Sequence, residues 1–572
     1  MTQICVPIMV EEHASAIRDA TLAAEHGADL VEYRVDVFFE DKEESTDLLQ
    51  DRIGRVLELV KASPLPCIVT CRPHWEGGEY HGDDDERVSL YEALGTSDHP
   101  PAYIDVELAT YTRSANIRQK INLGVNHPKQ QRAVSTRLIL STHDFDGRPS
   151  DLTRKILQMQ DEPACSVIKI AYRARSIRDN LELFEILQNQ TKPTIALGMG
   201  DFGIMSRILA PKFGGFLTFA SLRDESTTAP GQITIEDLLG LYRFRSIKPT
   251  TKVYGIIGWP VKQSMSPLVH NAGFEHIGWD GVYVPMPVAA SEDKAASETS
   301  LVATLGLFLT SPALTFTGAS VTIPHKENLW AFATQGADDS WPLANNYTAI
   351  IVGLQGEGRA YNTITVRWIN QEIEYLNITS TDVLAVEDLI TSSGLTAPRV
   401  CVIGAGGVAK SAIRACKSLG LKVSIVSRRD AAAEQVVVDL ALPSKRSSAQ
   451  QEKRTTHRDF ELSAIPHDRL SDVRADLYIN CTPVGMTGGP DPDGLSIPIP
   501  DMPNLSPDTV FFDTVYNPIE TPMLKAAKER GYRTIDGVQM FVKQAAAQFE
   551  IWTGHAAPED LFDTLVRDKL ST

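Results

Sequence analysis

At 572 residues the chain is too long for a single hydrophobic core, and two to four domains are expected. Apolar residues make up 43% and charged residues 22%, the balance of an ordinary globular protein. The net charge of −18 argues against nucleic acid or an anionic membrane as a partner, although local arginines can still bind a small anionic substrate.

The first 245 residues alternate short apolar runs with helical patterns. The runs fall at residues 3–9, 29–35, 66–71, 102–108, 136–142, 165–171, 193–198 and 215–220, with helical stretches such as 12–26 and 177–188 between them. Eight strand–helix units in this length predict a closed (β/α)8 barrel, whose chemistry belongs at the C-terminal strand ends. The charged residues follow that rule. Glu32, Arg34 and Asp36 alternate with Val31, Tyr33 and Val35, which puts charge on one face of a buried strand. Arg72 follows strand three, Asp105 and Glu107 interrupt strand four, and His143 follows strand five. Lys169 sits between Ile168 and Ile170 in strand six. Any one of these alone fits an interior ion pair, but five strands converging on one mouth point to a site.

Lys169 is the sharpest of them. Apolar neighbours and nearby arginines are expected to free its amine for attack on a ketone, giving a Schiff base. His143 is the matching proton shuttle. Arg34, Arg72 and Arg207 are placed to clamp a carboxylate and hydroxyls. The acidic run 83–86 in HGDDDER is read as a solvated loop.

EYRVD (32–36), TCRPHWEGG (70–78), STHDF (141–145), VIKIA (167–171), GIMSR (203–207) and APGQ (229–232) together resemble type I 3-dehydroquinate dehydratase across nearly all of residues 1–245. The resemblance implies Lys169 as the Schiff-base lysine and His143 as general acid/base, assisted by Glu76. It also implies substrate contacts from Glu32, Arg34, Arg72, Arg207 and Gln232. Thr228 stands where that family has serine, and it keeps the hydroxyl.

After a short stretch at 247–252, a strand at 253–257 leads to Ser264 and Ser266, with a helix from Pro267. Two hydroxyls at a helix start suit either a carboxylate or a cap. Lys326, in VTIPHK, lies past a strand at the start of another helix. Residues 400–403 then form an apolar run broken by Gly404 and Gly406, with small Ala409 beyond, which is a dinucleotide fingerprint. A second strand at 422–426 ends in Ser427-Arg428-Arg429, where an acidic residue would grip a ribose hydroxyl, so the expected cofactor is NADP, with NADPH as reductant. The cofactor contacts are read as Gly404, Gly406, Gly407, Ser427, Arg428 and Thr482, and no metal is expected.

These pieces, with the loop NCTPVGM (480–486), VYNP (515–518) and GVQMFVKQAAAQFEIWTG (537–554), resemble shikimate dehydrogenase over residues 252–572. The resemblance implies that Ser264 and Ser266 hold the substrate carboxylate, that Lys326 handles the proton, and that Thr322, Asn346, Tyr516 and Gln544 touch the substrate. It implies that Arg428 grips the 2′-phosphate, and that the helix from Val538 returns to close the cleft. Three departures stand out. Ser320 replaces an asparagine, the Asn-Thr motif is blurred at 345–348, and the family's Asn-Thr-Asp reads Asn362-Thr363-Ile364. By that alignment Ile364 takes the place of the aspartate that partners the lysine.

The expected architecture is α/β: a dehydratase barrel (1–246), a substrate domain (252–395, completed by 537–572) and a Rossmann domain (396–536). The expected function is a bifunctional enzyme of the shikimate route. A barrel joined to an impaired or quinate-tuned reductase and a non-catalytic metabolite sensor stay open as alternatives. Residues 447–458 and 488–494 read as surface loops. Seven scattered cysteines without zinc-like spacing suit reduced thiols. The opening MTQICVPIMVEEH has neither signal- nor transit-peptide character, and the apolar run at 301–316 is too short to span a bilayer. A soluble cytoplasmic monomer or homodimer is expected, with small molecules as its only partners.

Overall fold

The structure is a computed structural model that describes residues 1–571 except 40–45, 129–134, 224–230, 336–351, 355–360, 442–459 and 503–504. The chain divides into two compact units, Met1–Thr251 with the piece Val284–Val288, and Lys252–Tyr283 with Ala289–Thr572.

The first unit is built on eight strands, β1 (Gln3–Met9), β2 (Leu30–Arg34), β3 (Cys67–Thr70), β4 (Tyr103–Glu107), β5 (Arg137–Asp144), β6 (Cys165–Arg173), β7 (Thr194–Met199) and β8 (Leu217–Phe219). Each of β1 to β6 runs parallel to the next, and β8 returns to pair with β1. The Phe216 N–H donates to the Thr194 carbonyl at 2.9 Å, so β8 also meets β7 and the barrel is nearly closed.

Period-two alternation then stacks the interior. Cys5, Leu30, Ile68, Tyr103, Ile139, Val167, Ile195 and Leu217 form an apolar floor. Two residues further along five of these strands stand Glu32, Thr70, Asp105, Ser141 and Lys169. Two further still come Arg34, Arg72, Glu107 and His143. Charge is thus confined to the C-terminal layers while the floor holds the barrel by apolar packing.

The acidic run 83–86 is not a loop. Asp83 caps α1 (Asp84–Thr96), accepting from the N–H groups of Asp85 and Glu86. The acidic residues lie in the first turn, where the helix dipole favours negative charge.

The second unit contains two sheets, save for Val284–Pro287 at the end of one strand, which fall in the first unit. The first comprises β9 (Lys252–Gly258), β10 (Gly281–Pro287), β11 (Phe316–Val321), β12 (Val352–Leu354), β13 (Thr363–Ile369) and β14 (Glu372–Thr379), in the order β10-β9-β11-β13-β14-β12. Its connecting helices include α2 (Ser266–His276), α3 (Lys326–Gln335) and α4 (Thr381–Ser392). The second sheet comprises β15 (Val400–Ile403), β16 (Lys422–Val426), β17 (Glu461–Ile465), β18 (Leu477–Asn480), β19 (Val510–Asp513) and β20 (Arg533–Ile535). Its order is β17-β16-β15-β18-β19-β20, all parallel, which is the doubly wound dinucleotide fold. α5 (Gly407–Ser418) follows β15. Two terminal helices, α6 (Gly537–Thr553) and α7 (Glu559–Ser571), then return to the first of these sheets. Val538, Phe549 and Trp552 of α6 and Phe562 of α7 share a core with Tyr254, Phe274 and Tyr283.

Candidate active sites

In the barrel, Glu32, Arg34, Arg72, Glu76, His143, Lys169, Arg207 and Gln232 line one cavity. Lys169 is buried, and its Nζ lies 2.7 Å from Asp105 Oδ2 and 3.1 Å from Glu32 Oε1. The Phe219 ring centroid is 4.6 Å from the same nitrogen. Glu32, Asp105, Lys169 and Phe219 come from the alternate strands β2, β4, β6 and β8. The expected apolar residues and arginines do line this cavity, among them Leu197, Phe219, Arg72 and Arg207, and the carboxylates of Glu32 and Asp105 are added to them. Its strand neighbours Ile168 and Ile170 point outward, and the interior face presents carboxylates.

The arginines are held just as firmly. Arg72 donates to Glu107 at 2.6 Å, Ser141 Oγ at 2.9 Å and Asp105 at 3.0 Å. Glu107 also accepts from the fully buried Arg87 of α1 at 2.8 Å. Arg34 makes a two-point bond with Asp36 at 3.0 and 2.7 Å. Arg207 differs. It is only 2% exposed, and among the described residues it has neither an ion-pair nor a hydrogen-bond partner, so burial alone brings its pKa down to about 10.

His143 Nδ1 lies 2.9 Å from Glu76 Oε2. Burial, then the positive charges of Arg72 and Lys169, hold the imidazole pKa well below its ordinary value. Burial also raises the Glu76 carboxyl to about 8 against the pull of Arg72. Asp105 moves the other way. Its burial favours the neutral acid, but Arg72 and Lys169 outweigh that and keep its pKa far below the usual carboxylate range.

In the second unit, Ser264, Ser266, Thr322, Lys326, Tyr516 and Gln544 line a single cavity, together with Asn362, Asp382 and Gln548. Lys326 opens α3, and its Nζ meets Asp382 Oδ2 at 2.6 Å. Asp382 sits in the first turn of α4, where its other oxygen accepts from Asn362 Nδ2 at 2.9 Å. The Asn362 side-chain oxygen accepts from the Thr381 N–H at 2.8 Å, tying the strand to the helix start. Gln548 on α6 joins the same cluster through Thr363 Oγ1 at 3.0 Å and Ser320 Oγ at 2.8 Å.

This overturns the alignment that put Ile364 in the aspartate's place. Ile364 is 1% exposed in β13, paired with Ala319 and Ile378, and belongs to the core. The acidic partner is Asp382, in Thr381-Asp382. Asp382 was missed because Asn362-Thr363 drew the alignment eighteen residues too early on the chain, and Gln548 because no local motif marks it on α6. The usable signal was Ser-Thr-Asp opening an apolar helix directly after a strand. Asn346 and Thr228, like residues 447–458, lie outside the described residues.

The nucleotide fold has a loop that fits a dinucleotide. Gly404 has φ +118°, and a Cβ there would sit 2.8 Å from the Cys481 carbonyl oxygen, so only glycine makes this turn. A Cβ at Gly406 would meet nothing within 4 Å. Gly406 caps α5 with no side-chain hydrogen bond, which leaves the helix N–H groups to face a phosphate. Ser427 and the exposed Arg428 follow β16, and Thr482, held by Asn480 at 2.7 Å, follows β18. These residues fit NADP. Among the described residues no helix is long and apolar enough to cross a membrane.

Both halves of the chain are similar to known proteins. Residues 4–249 match the type I 3-dehydroquinase family, 256–341 the shikimate dehydrogenase substrate binding domain, and 537–567 the shikimate 5′-dehydrogenase C-terminal domain. The chloroplastic bifunctional 3-dehydroquinate dehydratase/shikimate dehydrogenase of Arabidopsis thaliana is 36% identical over 98% of this chain and 83% of its own. A shikimate dehydrogenase (NADP(+)) of Archaeoglobus fulgidus is 30% identical over 52% of this chain and 92% of its own. The solved dehydroquinate dehydratase and shikimate dehydrogenase of S. pombe AroM covers 99% of this chain and 98% of its own, at 23% identity and a TM-score of 0.37. With the first of these relatives matched almost end to end, the chain belongs to the family of bifunctional 3-dehydroquinate dehydratase/shikimate dehydrogenases.

Proposed function

We propose that the barrel dehydrates 3-dehydroquinate through an imine on Lys169 and that the second unit reduces the product, 3-dehydroshikimate, to shikimate with NADPH. The observation that carries this reading is a lysine held against a carboxylate in each of two separate cavities, buried in the barrel and half-buried in the second unit. The domain limits proposed are 1–246 for the dehydratase, 252–395 with 537–572 for the substrate domain, and 396–536 for the nucleotide domain.

In the barrel, Arg207 receives the substrate carboxylate, because a buried cation without a partner favours an anion beside it. Asp105 and Glu32 anchor Lys169, whose amine adds to the ketone carbon and loses water to give the imine. The protonated imine draws electrons and acidifies the adjacent C–H. His143, neutral because its pKa is so low, takes that proton. The resulting enamine expels the hydroxyl one carbon further on, and His143 returns the proton so that water leaves. A second water hydrolyses the imine and frees Lys169. Glu76 serves this exchange. While it is ionised it accepts from His143 Nδ1–H and leaves Nε2 as the base; a proton on Glu76 reverses those roles.

In the second unit, Ser264 and Ser266 hold the carboxylate at the start of α2, while Thr322, Tyr516 and Gln544 contact the ring substituents. Gly404, Gly406, Gly407, Ser427, Arg428 and Thr482 hold NADPH, which supplies the hydride when bound. Lys326 gives its proton to the carbonyl oxygen as that oxygen gains charge, and Asp382 holds the ammonium and a substrate hydroxyl. The Lys326–Asp382 pair supports a working reductase over an impaired one. Seven free cysteines, six of them buried, suit a reducing compartment, and we assign the chain to the cytoplasm as a monomer or homodimer without nucleic-acid or membrane partners.

Borohydride added with 3-dehydroquinate should leave a stable secondary amine on Lys169. Mass spectrometry finding the adduct on another lysine, or on none, removes the imine mechanism.

A further inference from the structure

We infer that one face of α5, formed by Gly407, Lys410 and Arg414, is a positioning surface that sets the Lys326–Asp382 pair. The inference deepens the reductase reading above and rests on it. The three residues stand at i, i+3 and i+7 and so share one side of the helix. Each meets a different part of the proton-handling cluster. A Cβ on Gly407 would lie 3.6 Å from Lys326 Cδ, so the stem of Lys326 runs against the first turn of the nucleotide-binding helix. Lys410 Nζ meets Oε1 of Glu327, the residue after Lys326, at 2.8 Å. The Arg414 guanidinium lies 5.3 Å from the Tyr361 ring centroid. Tyr361 in turn donates its N–H to the Lys326 carbonyl at 3.3 Å and immediately precedes Asn362, which holds Asp382.

Lys326 is thereby fixed through its stem and its chain neighbour by α5 itself, and through its carbonyl by Tyr361, on whose ring Arg414 of α5 rests. Glu327 is the central member. Lys294 Nζ holds its second oxygen at 3.0 Å, and the two lysines outweigh burial to lower its pKa. Lys410 is only 17% exposed in this bridge, whereas Lys294 is 72% exposed, so the bond to Lys410 is the one that sets position. The physical consequence is coupling: α5 shares an apolar core with α4, which carries Asp382, and holds the Lys326 side of the pair through the Lys410–Glu327 bridge, so loosening that bridge shifts Lys326 against Asp382. Lys410 and Glu327 act through Lys326 and are positioning residues.

The test uses the full chain, with dehydratase turnover as the internal control for protein quality. Wild-type reduction of 3-dehydroshikimate by NADPH first establishes the parent reading; if it fails, the reductase assignment fails whatever the variants do. Given that activity, Lys410→Met and Glu327→Gln should each lower reductase kcat about tenfold and change the KM for 3-dehydroshikimate less than threefold. Both should also shift the pH profile of reductase kcat. Lys410→Arg should retain wild-type kcat, and the exchange Lys410→Glu with Glu327→Lys should recover most of the loss. A readout without cofactor completes the test. Shikimate titrated calorimetrically into the cofactor-free protein should bind the parent, Lys410→Met and Lys410→Arg with affinities within threefold of one another, which separates lost positioning from lost substrate binding. Unchanged kcat and pH profile in Lys410→Met, or equal losses in Lys410→Arg and Lys410→Met, overturn the inference.

Discussion

In the barrel, Lys169 is fixed by carboxylates from β2 and β4, strands of the sheet to which it belongs. In the second unit, Lys326 is fixed by an aspartate on the first turn of α4 and backed by a helix of the nucleotide fold. The barrel sets distances by strand register, so its site is settled once the sheet closes. The reductase site is assembled across two sheets and three helix starts, and each seam is a place where position can be lost or regulated. The barrel network is also drier. Arg72, Asp105, Glu107 and Lys169 are all nearly inaccessible, and opposite charges satisfy one another there.

The broadest way to break this comparison is to remove each lysine in turn. Lys326→Met should lower reductase turnover about 10²–10⁴-fold, the scale of lost acid–base assistance, and leave dehydration untouched. Lys169→Met should do at least as much to dehydration and leave reduction untouched. Separate assays of the two half-reactions decide it. Loss of both activities from either substitution would show that the sites are not independent.

Ile364 tests where the acid partner lies. Ile364→Asp would place a carboxylate in the core of β13 without a partner, a cost of roughly 3–5 kcal/mol. The second unit should unfold at a markedly lower denaturant concentration, and reductase activity should fall. A rise in turnover would return the acid partner to this strand and remove Asp382 from the role.

Arg428 bears on the seam with the cofactor. It is exposed beyond β16, and Arg428→Ala should weaken NADP(H) binding by about 2 kcal/mol, close to 30-fold in Kd, with NAD(H) nearly unaffected. Equal losses for both cofactors would reduce Arg428 to a support of the loop.

The two sites also differed in how far the sequence disclosed them. The barrel was legible because its strands alternate with period two, so Glu32, Asp105 and Lys169 declare the face they share before any contact is known. What stayed hidden was who pairs with whom. Lys169 appears apolar among Ile168 and Ile170, and only closure brings β2 and β4 opposite it. The reductase cluster has no such periodicity. Asp382 and Lys326 are joined by the packing of two helix starts 56 residues apart, and a local motif at Asn362-Thr363 imitated the right one. The acidic run at 83–86 failed for a related reason, since charge on a helix's first turn resembles charge in a loop until the cap at Asp83 is considered.

The smallest effect concerns the proton held between Glu76 and His143, and it asks how tightly the barrel network controls ionisation. Glu76 titrates near 4.5 as an ordinary glutamate and near 8 in the barrel, chiefly because it is buried. Between those values the unfolded chain has lost this proton while the folded chain keeps it. The stability contributed by Glu76 is therefore full below pH 4.5 and is lost as pH rises through 8. His143 has the opposite sign. Its folded pKa lies below 6.5, so an unfolded histidine takes up a proton first, and stability falls as pH drops below 6.5. The two oppose each other between 4.5 and 6.5, which makes pH 6.5–8 the clean window for Glu76. There the barrel's unfolding free energy should fall with rising pH by at most about 1.4 kcal/mol per unit, and Glu76→Gln should flatten that slope. Denaturant unfolding at pH 6.5 and 8, with dehydratase activity as the probe in the parent chain and tryptophan fluorescence in both, measures the difference. Identical slopes in the parent and Glu76→Gln would mean that Glu76 is ionised throughout, held by Arg72 as a fixed charge, and that His143 works as a base without a proton partner.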